Sequence, residues 1–259
     1  MKKIPIVLFV SALITGSFAQ AQSFSYSYNF ENLAAGEVLV PTGNLNQPDS
    51  NDNGWYGANI TSTNRVTVSD AFNSPWDVGG SQSAAIVRTC AEGSGATLFH
   101  YFIEQFDRYN APRNINVTGS LGSALTGSGY SFSFDVMTPA LSTQPRFRFF
   151  GGGETHDDVA LSFQMRYNGT LRINGVDVPA FTGVFAAHTW YRFKVSNLDV
   201  SARSWDLEIF EWNGSSETSI YRATALDFDN PVSIIDRFQV RSNSTNTNPI
   251  YFDNFIAVR

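Results

Sequence analysis

The chain has 259 residues, 42% of them hydrophobic and only 15% charged, so it can bury one sizeable core and is too apolar for disorder. With 22 Phe, 10 Tyr, 5 Trp and 20 Gly it is too aromatic and glycine-rich for a helical bundle. A single Cys excludes an intrachain disulfide framework and any multi-cysteine metal site, and a formal charge of −6 argues against a generic nucleic-acid binder.

The chain opens with Lys2 and Lys3, an apolar stretch from Ile4 to Phe18, and Ala19-Gln20-Ala21, a small-x-small cleavage pattern. The reading is a bacterial-style signal peptide over 1–21, with the final location periplasmic or secreted. The apolar run is too short for a membrane span. Lys2 and Lys3 leave with the signal and Lys194 alone remains. Residues 22–259 then carry 15 basic groups, 14 of them Arg, against 23 acidic ones, a net charge of −8. Almost every cation is thus a planar fork suited to bidentate bonds with carboxylates.

From there the elements follow one another as strands, because apolar and polar residues alternate with period two. Phe24, Tyr26, Tyr28 and Phe30 form the first such run. Pro41 to Gly54 reads as a long loop. Shorter strand candidates cover 65–69 and 83–89. Phe99, Phe102, Ile103 and Phe106 fit a helix as well as a strand, and the all-β context favours the strand. Further alternating runs centre on Phe132 to Val136, Phe147 to Phe149, Leu161 to Tyr167, Tyr191 to Val195, Phe238 to Val240 and Phe252 to Val258. Candidates at 170–174, 205–212 and 219–223 complete the set. Asn168-Gly169, Asn174-Gly175 and Asn213-Gly214 are hairpin-type turns. No internal repeat or linker stands out. The expectation is all-β: one domain over 22–259, a two-sheet antiparallel β-sandwich, with a barrel as the alternative.

Several short strings carry a resemblance: Asn29-Phe30-Glu31 with Gly36, Ser131 to Val136, Trp190 to Phe193, Ser204 to Leu207, and Tyr251 to Phe255. In this order they resemble the bacterial secreted LamG-like jelly rolls of the concanavalin A-like lectin/glucanase superfamily. The resemblance implies a concanavalin A-like jelly roll and a carbohydrate partner. The superfamily holds lectins, glycan-binding modules, glycosidases and lyases, and fold alone does not choose among them. Its glycosidases often carry a Glu-x-Asp-x-x-Glu strand, which is absent; Glu208 and Glu211 come nearest. Its alginate lyases use Arg, Gln, His and Tyr on one sheet. Their signature strings are absent here, but the residue types are present.

Those types sit on alternating positions: Arg146 and Arg148, Gln164 and Arg166, Arg192 and Lys194, and Arg237, Gln239 and Arg241. Residues two apart share a face. If the strands are neighbours, they form a basic platform for an acidic polysaccharide; otherwise they are solvated faces with ordinary cross-strand pairs. Ligand-binding candidates are Arg146, Arg148, Gln164 and Arg166, with Trp55, Tyr56 and Trp76 as a stacking rim. Trp190, Trp212 and Tyr109 are further aromatic candidates, while Trp205 reads as core. A uronate lyase would use Arg148, Gln164 and Arg166 to neutralise the carboxylate, and His100, Tyr101 or Tyr167 as base, with His188 a further candidate. Whether the chain is an enzyme stays open.

For metal, Asp49 to Gly54 matches the opening of a calcium loop, but the twelfth position is Ile60 and not Glu. The resemblance implies a second calcium option, Glu31 with Asp253, from the first and last strands. His100, His156 and His188 lack zinc spacing. Cys90 reads as buried. The expected partner is a polysaccharide, and neither nucleic acid nor a membrane span is expected. A structural surface protein is the third reading.

Overall fold

The computed structural model describes residues 25–31, 33–36, 55–58, 65–87, 97–101, 124–151, 158–242 and 248–259. The proposed signal segment, the 41–54 loop, Ile60, Cys90, Tyr109 and His156 lie outside them. Among the described residues no helix is long and apolar enough to cross a membrane.

The described strands are β1 (Ser25–Tyr28), β2 (Trp55–Ala58), β3 (Arg65–Ser69), β4 (Ser83–Val87), β5 (Thr97–Tyr101), β6 (Tyr130–Met137), β7 (Pro145–Gly151) and β8 (Asp158–Met165). They continue with β9 (Leu171–Ile173), β10 (Val176–Asp177), β11 (Tyr191–Asp199), β12 (Ser204–Trp212), β13 (Glu217–Asp227), β14 (Arg237–Ser242) and β15 (Ile250–Val258). Every pairing is antiparallel, and the strands form two sheets. The eight-stranded sheet runs β13-β12-β11-β6-β15-β4-β3, with β1 paired to the far end of β15. The seven-stranded sheet runs β10-β9-β8-β7-β14-β5-β2. The fold is the two-sheet antiparallel β-sandwich, and the 97–101 part of the ambiguous segment is a strand.

The inner faces meet through phenylalanine. Phe134 of β6 lies 4.8 Å from Phe147 of β7 and 5.1 Å from Phe238 of β14, and Phe132 lies 5.0 Å from Phe149. All five rings are at most 1% exposed. Burying one such ring contributes about 1.5–3 kcal/mol, so this layer is the main favourable term holding the sheets together. Trp205 is fully buried in the same core, as its alternation with Leu207 and Ile209 predicts.

The alternation that sends Phe147 and Phe149 inward sends Arg146 and Arg148 outward. One irregularity matters for the outer face. The β7–β8 register shifts where Ala160 of β8 is the extra residue, so Val159 comes opposite Phe150, which alternation already places outward beyond Arg148. A second, smaller apolar cluster of Ala85, Met137, Trp190 and Tyr251, with Trp76 and Trp212 against it, is separate from the main core.

Candidate functional site

Cross-strand partners share a face, and the register of the seven-stranded sheet draws its outer polar residues into rows. The first row crosses β14, β7, β8 and β9 as Arg241, Arg146, Gln164 and Arg172, and ends at Asp177 on β10. From Arg241 to Arg172 it spans three strand spacings, roughly 14 Å. The second row is Gln239, Arg148 and Ser162, and the third is Arg237, Phe150 and Val159. The expected platform therefore exists for Arg146, Arg148, Gln164, Arg237, Gln239 and Arg241. Arg166 joins it at the end of β8. Arg192 and Lys194 do not: they lie on β11 in the other sheet, and Arg192 is committed there to Asp135.

The platform is recessed. Ser162, Gln164, Arg237 and Gln239 are all buried, between 2% and 6% exposed. Phe150 supplies an apolar floor, with the Arg237 guanidinium 4.6 Å and the Arg148 guanidinium 5.9 Å from its ring centre. Burial pushes Arg148 down to about 10, and the positive charges of Arg146 and Arg241 add to the effect. Arg146 is lowered too, chiefly by burial, with Arg172 contributing and Asp229 opposing. Two buried polar atoms of the middle row, Arg148 Nε and Gln239 Oε1, have no hydrogen-bond partner.

The two ends of the first row differ. At the β9–β10 end Arg172 Nε donates to Asp177 at 2.6 Å, and Arg166 Nη1 lies 3.6 Å from the same carboxylate. The Arg172 hydrogen bond holds Asp177 below the usual carboxylate range. Arg146 and Arg148 form no salt bridge among the described residues. A pair of forked cations with no salt bridge among the described residues, and only Asp229 acting on both from a distance, thus sits beside two arginines that share one carboxylate. Such a surface grips a carboxylate by paired N–H bonds and rejects a cation.

The other sequence candidates fall in several places. Trp55 and Tyr56 belong to β2, the edge strand of this same sheet, and not to a loop rim. In the backbone register His100 pairs with core residue Phe238, whereas Tyr101 pairs with Arg237. Tyr101 therefore holds a register position in the arginine rows and His100 does not. Tyr167 follows β8 and is 59% exposed. Trp76 is far removed in topology. It lies against the other sheet, edge-on to Trp212 at 5.4 Å, with the Arg192 guanidinium 4.7 Å over its ring and its Nε1–H donating to Glu217 at 2.7 Å. Trp190 belongs to that same small cluster, and His188 precedes β11, also on that sheet. Two contributors carried little sequence signal. Phe150 adjoins core residue Phe149 although alternation places it outward with Arg146 and Arg148, and Arg172 sits on a strand of three residues.

Glu31 and Asp253, the calcium option, are each engaged by hydrogen-bond donors in the described structure. Glu31 Oε1 accepts the backbone N–H groups of Ser81 and Gln82 at 2.8 and 2.6 Å, and Oε2 accepts the Ser81 hydroxyl at 3.2 Å. Asp253 is fully buried and accepts N–H groups from Ser74 and Asn254 at 3.1 and 2.8 Å. Each carboxylate is turned onto backbone donors. Among the described residues no three acidic, His or Cys side chains converge as metal ligands, and Ca²⁺ needs six to eight oxygens.

No family model matches the chain, and no curated protein matches it. Solved structures of similar fold include a sialidase at 11% identity (TM-score 0.47), covering 79% of this chain; the chain spans only 17% of that protein. A marine PL-14 alginate lyase from Aplysia kurodai is 14% identical over 74% of this chain and 86% of that one, with a TM-score of 0.47. Peanut lectin is 10% identical over 92% and 99%, with a TM-score of 0.49. At these identities and TM-scores none of them transfers an activity to this chain.

Proposed function

We propose that the chain is an exported polysaccharide-binding protein, and that the outer face of its seven-stranded sheet binds an acidic glycan. The observation that carries this reading is the pair Arg146 and Arg148, without a salt bridge among the described residues, opposite Arg241, beside Phe150 and flanked by Gln164 and Gln239. Holding like charges opposite one another in a half-buried face costs stability. A bound row of carboxylates removes that cost, and the glutamines add donors and acceptors for hydroxyl groups. The apolar floor raises the strength of each ionic contact by excluding water.

A second reading, β-elimination by a uronate lyase, is favoured by one specific observation. Tyr101 is the register partner of Arg237, in the row next to that of Arg148. In such a lyase the arginines would neutralise the uronate carboxylate, the tyrosine as phenolate would take the C5 proton, the C4=C5 bond would form as the C4–O glycosidic bond breaks, and the leaving oxygen would take a proton back from the tyrosine. The two readings part on one assay. Purified protein is mixed with polymannuronate, polyguluronate and polygalacturonate, and both binding and ultraviolet absorbance are followed. Binding with a flat absorbance trace supports the lectin-like reading. A rising trace marks the conjugated C=C of elimination and makes the chain a lyase. Absence of both, with folded protein, refutes the acidic-glycan reading for those polymers.

A further inference from the structure

At the β9–β10 end of the arginine rows the turn after β8 carries Tyr167, the most exposed aromatic side chain among the described residues at 59%. This ring is held on a rigid turn. Gly169 N–H donates to Arg166 O at 3.0 Å, Arg166 N–H donates to Thr170 O at 2.9 Å, and Thr170 N–H reaches the Asn168 side chain at 3.3 Å. The turn is also anchored from outside, because Val184 and Phe185 both donate to Gly169 O at 3.0 and 3.1 Å. Gly169 adopts φ +73, and a Cβ there would stand 2.8 Å from Phe185 O, so the turn sits close against its neighbour.

Arg166 links this ring to the arginine face. Its guanidinium carbon lies 5.6 Å from the Tyr167 ring centre, and its Nη1 faces Asp177. Its Nε is buried and has no hydrogen-bond partner. An exposed ring face and a partly exposed guanidinium therefore stand side by side next to the arginine rows.

We propose that Tyr167 and Arg166 form a stacking subsite for one pyranose ring of the acidic glycan, at the end of the arginine face. The C–H face of the sugar packs on the tyrosine ring, and a ring substituent oxygen accepts an N–H from the partly exposed edge of the Arg166 guanidinium. Because the turn is fixed before binding, little ordering cost offsets the contact. In this role Tyr167 is a binding residue and its hydroxyl does no chemistry. The inference rests on the glycan-binding reading above.

The test is the affinity of the full-length exported protein for the polyuronate it binds best in the panel above, measured by calorimetry. Tyr167→Ala is expected to weaken binding about tenfold, and Tyr167→Phe is expected to restore it to within about twofold. Arg148→Ala serves as the control on the main face and is expected to lose binding. If Tyr167→Ala binds like wild type while Arg148→Ala does not, the subsite is wrong and the arginine face stands. If Tyr167→Phe is as weak as Tyr167→Ala, the hydroxyl matters and the stacking role is overturned. If the wild type binds no polyuronate at all, both readings fall.

Discussion

Arg146 and Arg241 stand directly opposite each other across the β7–β14 ladder, two like charges on one outward row. Arg148 follows Arg146 two residues along the same strand, is diagonal to Arg241, and is pushed down to about 10, first by burial and then by these neighbours. Cross-strand like charges destabilise a sheet. A structure that keeps them together has placed positive charge where an anion can use it.

This arrangement predicts a trade between stability and binding. Arg148→Met keeps the length and apolar stem of the side chain while removing the charge. The variant should be more stable than wild type by about 0.5–2 kcal/mol, yet lose polyuronate binding. Urea unfolding and calorimetry on the same preparation check it. A variant that is clearly destabilised would mean that the guanidinium supports the fold.

On the opposite sheet the outcome should reverse. Asp135 is fully buried and takes two hydrogen bonds from Arg192 at 2.7 and 2.9 Å, one from the Ser74 hydroxyl and one from Asn254 at 2.9 Å. Removing one partner of a buried pair leaves an uncompensated charge, at a cost of about 3–5 kcal/mol. Arg192→Ala should therefore lower the urea midpoint strongly without touching the arginine face. A loss below about 1 kcal/mol would show that the other donors suffice.

Asp253 gives a pH dependence with a definite sign. Burial lifts its carboxyl to about 8, with Asp135 and Asp77 adding negative charge, against the N–H bonds from Ser74 and Asn254. Asp135 is raised for the same leading reason. An unfolded Asp titrates near 3.9, roughly. Between about pH 4 and pH 8 the folded state therefore holds a proton that the unfolded state has released, and stability falls as pH rises through that window. Above it the contribution from Asp253 is level. Asp253→Asn removes this term, so its urea midpoint should decline less than that of the wild type from pH 5 to pH 8. Parallel curves for the two proteins would contradict the assignment.

Glu31 acts as a carboxylate cap on the Ser81–Gln82 backbone. Its role does not call for calcium. The melting temperature should be the same in a chelator as in millimolar Ca²⁺, and Glu31→Ala should cost about 1 kcal/mol in both. A calcium-dependent rise in melting temperature that Glu31→Ala abolishes would restore the metal reading.

The sandwich was legible in the sequence because period-two alternation is a local signal, and inward Phe with outward Arg is written in Phe147-Arg148-Phe149 itself. Which strands are neighbours is not local. Arg192 and Arg148 share the same alternation, and only sheet order separates them, one beside Asp135 and the other beside Gln239. Trp76 misled for the same reason: a Trp beside Pro75 in a turn-rich stretch reads as a rim residue, but it packs with Trp212 from a strand more than a hundred residues away. Phe150 continues the outward series of Arg146 and Arg148, but two adjacent Phe residues leave open in the sequence which of them the core takes.

The most direct test of the account is binding to a polyuronate and to the same polymer with its carboxylates reduced to alcohols, at low and high salt. The account predicts binding to the acidic polymer alone, weakened as salt rises, and lost in Arg146→Ala/Arg148→Ala with the fold intact. Equal binding to the reduced polymer, or binding that survives loss of both arginines, would contradict it.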